Sequence, residues 1–404
     1  MSAGPLVPPT GGPAASPGGR ARAKVGRRRL VVLGVVTVLV AAAAAVAFVQ
    51  LTPRRAAGGQ PVCGRALAFV GASAGFVESV YQATELAVAQ YDHAHPTCQV
   101  SLTRYDTKGA PDAAKASVDK VVNDPAVIGV IGPAFSNEVL AAGPDLQAAG
   151  LPMITPSATD PGLGKQGWSV FHRLLGTDLD EAHAAAATLT SDGAKRVLVV
   201  DVGSGYPHLL ASTVSASLGP ELAGTATLAS DQTDLTAVVN QATRVKADAV
   251  YDPDFSASAG TLLRRLRDAH VSARFLGSAS LVDDPQFAQA AGGAATSATF
   301  TCGCRPAQGS TAAADFVKQF QQQYGTPPAP YSGFGYDAAK IFLDGIAGAV
   351  TSRSGMQAFV QSRNHSGVMG DYRFAANGEL AAGLVQVSLF TATTGTSTYA
   401  RPAR

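Results

Sequence analysis

Beyond Cys63 the chain alternates, almost without interruption, between short apolar runs of strand character and Ala-rich stretches of helical period. Strand-like runs fall at 65–70, 99–105, 127–131, 152–155, 196–201, 224–228, 247–251, 273–276 and 297–301. Most are separated by amphipathic stretches such as 78–94, 112–123, 136–149, 179–191, 208–218, 234–245 and 257–269. Such alternation implies parallel sheets covered by helices on both faces. The roughly 340 residues past Cys63 exceed the size at which one core stops growing, so two lobes are expected.

The stretch from Val127 to Leu163, VIGVIGPAFSNEVLAAGPDLQAAGLPMITPSATDPGL, reads as a strand, a tight Gly132-Pro133 turn, a Ser-initiated helix, Gly150, a second short strand and the polar loop Pro156-Ser157-Ala158-Thr159. Each strand runs into small residues and hydroxyls, where a helix dipole or free amides can receive an anion. That chemistry suits gripping a small carboxylate more than attacking one.

Six segments in order carry a family likeness: GVIGPAFS at 129–136, AGLPMITPSAT at 149–159, FHRLLGTDLDEA at 171–182, ADAVYDPDFSASAGTLLRRLRDA at 247–269, YGTPPAPYSGFGYDAAK at 324–340 and GDYRFAANGEL at 370–380. From Arg65 to about Val387 the chain resembles the type I periplasmic binding proteins, in the Leu/Ile/Val-binding branch that feeds amino-acid ABC transporters. The resemblance implies an α/β fold of two Rossmann-like lobes with parallel sheets, joined by a three-stranded hinge near 175–178, 302–305 and 377–381. Lobe 1 would comprise 63–176 plus 304–378 and lobe 2 177–303 plus 379–398, with the ligand between them. It implies solute binding without catalysis, cofactor or metal.

The same resemblance assigns site residues. Ser136 and Thr159 match the hydroxyls that hold a ligand carboxylate, with backbone help at Ser157, and Asp178 matches an aspartate that helps hold the ammonium group. Phe76, Tyr206 and Phe255 are candidates to close over the apolar part of the ligand, whereas Tyr336 belongs to a helix start and reads as core. Plainer roles compete. Ser136 is a natural N-cap worth about 1 kcal/mol, Thr159-Asp160-Pro161 makes an ordinary turn, and Asp178 can cap a helix beginning near Leu179. The chain departs from the pattern after the strand RFLG, where relatives place a second acid and this sequence has Gly277-Ser278-Ala279-Ser280. Asp283 and Asp284 nearby could substitute through a loop shift, but they read more simply as solvated residues before Pro285. The loss of that acid makes a carboxylate lacking an amine a serious option.

One motif argues for a hydrolase: Gly71-Ala72-Ser73-Ala74-Gly75 is a G-x-S-x-G between strand and helix. It follows the first strand of the folded region, however, and no upstream unit supplies a second oxyanion amide. His365, late enough to complete a triad, sits in the polar turn Asn364-His365-Ser366-Gly367.

Residues 1–29 are Pro, Gly, Ala and Arg with little to bury and are expected to be a disordered basic tail. Leu30 to Leu51 is an unbroken apolar run of about 22 residues, long enough to cross a bilayer, and 52–62 reads as a linker. Arg20, Arg22, Lys24, Arg27, Arg28 and Arg29 precede the run against Arg54 and Arg55 after it, which places the N-terminus in the cytoplasm and the binding domain outside. A cleaved signal peptide ending in the alanine run at 41–45 is the rival reading, but its apolar core would exceed the usual length.

All 29 acidic residues lie beyond residue 62 with 23 of the 31 basic ones, a net of −6, which argues against nucleic-acid binding. Four cysteines in an exported domain point to disulfides with three possible connectivities; Cys63 with Cys98 is the expected pair because the strands they open would be neighbours in the implied fold. Cys302 and Cys304 flank one glycine and would close a small ring. Metal binding by His93, His95 and Cys98 lacks a fixed carboxylate. The expected partners are a small amino acid or carboxylate, the membrane, and an ABC permease; a ligand-sensing ectodomain acting through a signalling partner is the alternative.

Overall fold

The computed structural model describes residues 63–228, 234–308 and 310–403. The tail, apolar run and linker expected at 1–29, 30–51 and 52–62 lie outside the described residues. Among the described residues no helix is long and apolar enough to cross a membrane.

The first lobe is built on a five-stranded sheet of β1 (Ala66–Gly71), β2 (Ser101–Asp106), β3 (Val127–Ile131), β4 (Met153–Thr155) and β5 (Phe171–Arg173). Their order is β2-β1-β3-β4-β5 and every neighbouring pair is parallel. Inner strands β1 and β3 are buried at every position, as continuous apolar runs covered on both faces should be. Helices α1 (Gly75–Ala94), α2 (Pro111–Val122) and α3 (Ser136–Ala148) make the crossovers. Between β3 and α3 the chain turns at Gly132, whose φ is +107° and where a Cβ would fall 2.2 Å from the Val70 carbonyl oxygen, so only glycine fits.

The chain then enters the second lobe through α4 (Asp178–Ser191) and builds β6 (Val197–Asp201), α5 (Gly205–Leu218), β7 (Leu222–Thr227), α6 (Thr236–Arg244), β8 (Ala249–Asp252), α7 (Ser256–Asp268), β9 (Arg274–Gly277), α8 (Pro285–Ala291) and β10 (Ala298–Cys302). It returns to the first lobe with α9 (Ala314–Tyr324), α10 (Ser332–Ala347), α11 (Arg353–Ser362) and a small ribbon of β11 (His365–Ser366) and β12 (Asp371–Tyr372). Helix α10 packs closely on α1: a Cβ at Gly335 would lie 2.6 Å from the Val80 carbonyl oxygen, and Thr84 Oγ1 donates to the Gly335 carbonyl at 3.2 Å. The last segment goes back to the second lobe as β13 (Ser388–Ala392) and β14 (Ser397–Pro402).

The second sheet is seven-stranded, in the order β14-β13-β10-β9-β8-β6-β7. Its β7 to β10 part is parallel, but β10 with β13 and β13 with β14 are antiparallel. A hairpin therefore closes one edge of a sheet whose βα pattern alone implies parallel strands. The two lobes are joined by three passages, after β5, after β10 and before β13; Gly303 approaches Gly176, and a Cβ at Gly176 would meet Val385 Cγ1 at 2.8 Å. The third passage sits later than the expected 377–381. Arg173 pairs with Glu379, Phe374 bridges Leu380 and the Ala381 amide donates to the Arg373 carbonyl, so the first lobe keeps the chain through Ala381 and the crossing lies at 382–387. Disulfides join Cys63 to Cys98 beside β1 and β2, and Cys302 to Cys304 within the second passage.

Candidate functional site

Strand C-terminal ends in both sheets open onto one cleft of about 1050 Å³. Its walls are the starts of helices: Ala74 and Gly75 at α1, Ser136 and Asn137 at α3, Asp178 at α4, Gly205 and Tyr206 at α5, and Phe255 just before α7. A crevice at the carboxyl ends of parallel strands, ringed by helix N-termini, has partial positive charge and free amides to offer an anion.

Ser136 is not a cap. The cap position of α3 is taken by Phe135, and Glu138 closes the turn by accepting the Phe135 amide at 3.1 Å. The Ser136 hydroxyl is thereby released to the cleft, where Oγ accepts the amides of Thr159 and Asp160, both at 3.1 Å. A hydroxyl has two acceptor sites and one proton, so the Ser136 O–H remains to donate to a bound anion. Ser157 Oγ donates to the Ala134 carbonyl at 2.8 Å, fixing the loop after β4 against the turn after β3.

Arg173 holds that loop from beneath. Completely buried at the end of β5, it donates to the carbonyls of Ala158 (3.1 Å) and Asp160 (2.9 Å) and forks onto both oxygens of Glu379, with Nε to Oε2 at 2.8 Å. A buried guanidinium satisfied by a carboxylate and two carbonyls is geometrically specific. It pins the backbone carrying Thr159 to the point where the chain leaves the first lobe.

Asp178 does not cap its helix either. Thr177 caps α4 and shares a capping box with Asp180, while Asp178 is the first helical residue and is 4 % exposed. Its amide donates to the Thr159 carbonyl at 3.0 Å, and its Oδ1 has no hydrogen-bond partner among the described residues. Burial pushes its carboxyl up to about 6 against the pull of Thr159 and Arg173. A buried carboxylate oxygen without a donor is costly. One that lines a cleft is where a ligand donor fits.

Six of the seven expected ligand residues line the cleft: Ser136, Ser157, Thr159, Asp178, Tyr206 and Phe255. Tyr206 and Phe255 stand with ring centroids 5.9 Å apart, and Phe255 is 50 % exposed. Phe76 is not among the residues that line the cleft. Its ring lies behind the wall, edge-on to Phe135 at 5.8 Å and against Tyr331 at 5.3 Å, and it is Phe135 that faces the cleft. Lys108, Asn137, Leu140 and Leu209 also line the cleft and were not singled out by motif. A lysine or leucine on a loop or helix carries no sequence mark that separates a cleft wall from open surface.

The acid that relatives place after β9 is not replaced from the same loop. Asp283 accepts the Ser397 amide and Asp284 caps α8, so neither substitutes for it. Instead the Ala279 amide donates at 2.8 Å to Oε1 of Glu181, a fully buried residue one turn beyond Asp178. Glu181 lies inside FHRLLGTDLDEA, and its i, i+3 spacing from Asp178 was the signal available. The hydrolase motif assembles nothing: Ser73 is exposed with its amide on Asp106, while His365 Nε2 pairs with the Val360 carbonyl. Cys98 is spent in its disulfide and His95 stacks on Tyr91, and among the described residues no cluster is set to hold a metal ion.

Residues 64–392 match the sequence profile of the periplasmic binding protein family. The chain belongs to that family. A Leu/Ile/Val-binding protein of Rhizobium johnstonii is 30 % identical over 184 residues, 44 % of this chain and 50 % of that protein. An amino acid binding protein of Pseudomonas aeruginosa is 27 % identical over 238 residues, 57 % of this chain and 63 % of its own. The chain thus spans half to under two thirds of these curated relatives. Among solved structures, a leucine binding protein from Thermotoga maritima superposes with a TM-score of 0.70 at 23 % identity, covering 84 % of this chain and 99 % of that one. A solute binding protein from R. palustris in complex with benzoate gives 0.67 at 17 %, covering 84 % and 96 %. The Leu/Ile/Val-binding branch that the motifs resemble is the branch whose members match, and periplasmic binding proteins bind solutes rather than transform them.

Proposed function

We propose that this periplasmic binding protein captures a small α-amino acid outside the cytoplasm and hands it to an ABC permease. The observation that carries the reading is the unpartnered Oδ1 of buried Asp178 in a cleft whose other lobe offers the Ser136 hydroxyl and helix N-termini. A carboxylate on one side and an ammonium on the other satisfy both. Tyr206, Phe255, Phe135, Leu140 and Leu209 supply the apolar wall such sites use around a few fixed polar contacts. The named Leu/Ile/Val-binding relatives support a side chain of branched aliphatic kind. An amine-free carboxylate is the second reading, favoured by the absence of an acid at Ala279 and by the benzoate-bound relative.

Capture works by hinge closure, with the ligand binding the closed arrangement more tightly and shifting the population toward it. The apolar run Leu30–Leu51 with its basic flank supports tethering of the binding domain to the outer face of the membrane by a single pass. Retention of the protein in membranes after an alkaline wash tests the tether; full release overturns it. Co-purification with a permease tests the transport role, and co-purification with a receptor kinase alone would replace it with sensing. A ligand that binds only the folded state adds roughly 2.7 kcal/mol at about a hundredfold excess over Kd, so a thermal-shift panel of amino acids and amine-free acids tests the ligand class.

A further inference from the structure

Asp178, Asp180 and Glu181 share the first turn of α4, where the helix N-terminus supplies only about half a unit of positive charge. Asp180 is engaged by the Thr177 amide and hydroxyl, each at 2.7 Å. Glu181 is 2 % exposed; its Oε1 receives the Ala279 amide at 2.8 Å and the Thr301 hydroxyl at 3.0 Å, and its Oε2 the Tyr206 phenol at 3.2 Å. The groups that face it are Tyr206 from α5, Tyr251 from β8, Thr301 from β10, the Ala279 amide after β9, Tyr331 before α10 and Asp178 on its own helix. None of these is a cation. Burial, with Asp178 beside it, pushes the Glu181 carboxyl up to about 8.

For a fully buried carboxyl, ionisation carries a cost that neutral donors offset in part and a nearby positive charge offsets further. Two features connect it to the cleft. Tyr206 lines the cleft with its ring and ends on Glu181 with its phenol, and Asp178, one turn earlier, lines the same cleft with an unpartnered oxygen. The loop after β9, which lacks the expected acid, turns its Ala279 amide onto Glu181.

We propose that Glu181 is the second acid of this cleft, acting from helix α4 through Tyr206, and that its missing counter-charge is the cationic group of the ligand. The inference rests on the solute-binding reading above. Glu181 is a positioning residue: it does not reach the ligand but holds Tyr206. When the ligand ammonium arrives beside Asp178, the Glu181 carboxyl gives up its proton to solvent and the resulting carboxylate anchors the phenol. A ligand without an amine brings no such change.

The test is calorimetric titration of the full chain with L-leucine and with 4-methylpentanoate, its amine-free counterpart, near pH 7 in two buffers of different ionisation enthalpy, for the wild type, Glu181→Gln and Tyr206→Phe. The expected result is proton release with L-leucine in the wild type that disappears in Glu181→Gln, with about tenfold weaker L-leucine binding in both variants and a smaller loss of 4-methylpentanoate binding in each. Equal weakening of both probes shows a merely structural role and overturns the proposal, as does proton release that persists in Glu181→Gln. A wild type that binds only 4-methylpentanoate overturns the proposal while leaving solute binding intact. If neither probe binds, the amino-acid reading and the proposal that rests on it fail together.

Discussion

Ser136 and Asp178 illustrate how one position in a helix start decides a residue's work. Each would cap its helix if the helix began one residue later; because Phe135 and Thr177 occupy the cap positions, both side chains face the cleft instead. Replacing Ser136 and Thr159 together by alanine is expected to weaken binding of an α-amino acid by a hundredfold or more, since each charge-assisted hydrogen bond contributes roughly 1.5–3 kcal/mol; unchanged binding by calorimetry would refute the carboxylate assignment. For Asp178→Asn the expectation is divided. Its folded carboxyl titrates at about 6, above the ordinary 3.8, so its favourable contribution is complete below 3.8 and is lost as pH rises through 6. The asparagine variant should therefore be more stable than wild type at pH 7.5, by on the order of 1–3 kcal/mol, lose that advantage near pH 4, and bind amino acids poorly. Thermal unfolding at the two pH values, beside a binding titration, checks all three.

At the scale of elements, Arg173 on β5 is the tie between the Thr159 loop and the third passage through Glu379. Removing one partner of a buried pair strands the other, at a cost of roughly 3–5 kcal/mol. Glu379→Gln should lower the denaturant midpoint accordingly and also weaken ligand binding; a loss of stability with binding untouched would detach the pair from the site. At the α1–α10 crossing, Gly335→Ala should cost about 1–3 kcal/mol by overpacking against Val80, read from the same unfolding curves. These elements differ in how legible they are in the sequence. Buried parallel strands such as VIGVI and VLVVD announce themselves as unbroken apolar runs. The β13–β14 hairpin does not, because SLFTA and STYARP are short, one is mostly exposed, and no helix separates them. The position of the third passage is not legible, because nothing in the sequence says that Glu379 reaches back to Arg173. Glu181 was legible in spacing but not in facing, since an Ala-rich helix gives little sign of which side is buried.

For the whole molecule, the two lobes bring different groups to the cleft: the hydroxyls of Ser136, Ser157 and Thr159 and the α3 start from the first, Asp178 with Tyr206 and Phe255 from the second. If the ligand is an amino acid as proposed, neither half holds it alone, and closure and capture are one event. Small-angle scattering should show the radius of gyration falling on saturation with ligand and remaining unchanged when Asp178→Asn is given the same ligand. The most direct single measurement is a thermal-shift titration of the purified chain against amino acids and their amine-free counterparts, run in parallel on wild type and Asp178→Asn. The expected result is a saturable rise in melting temperature with an aliphatic α-amino acid that the Asp178→Asn variant loses. Stabilisation by amine-free acids alone, or an amino-acid shift that survives the loss of the Asp178 charge, would contradict it.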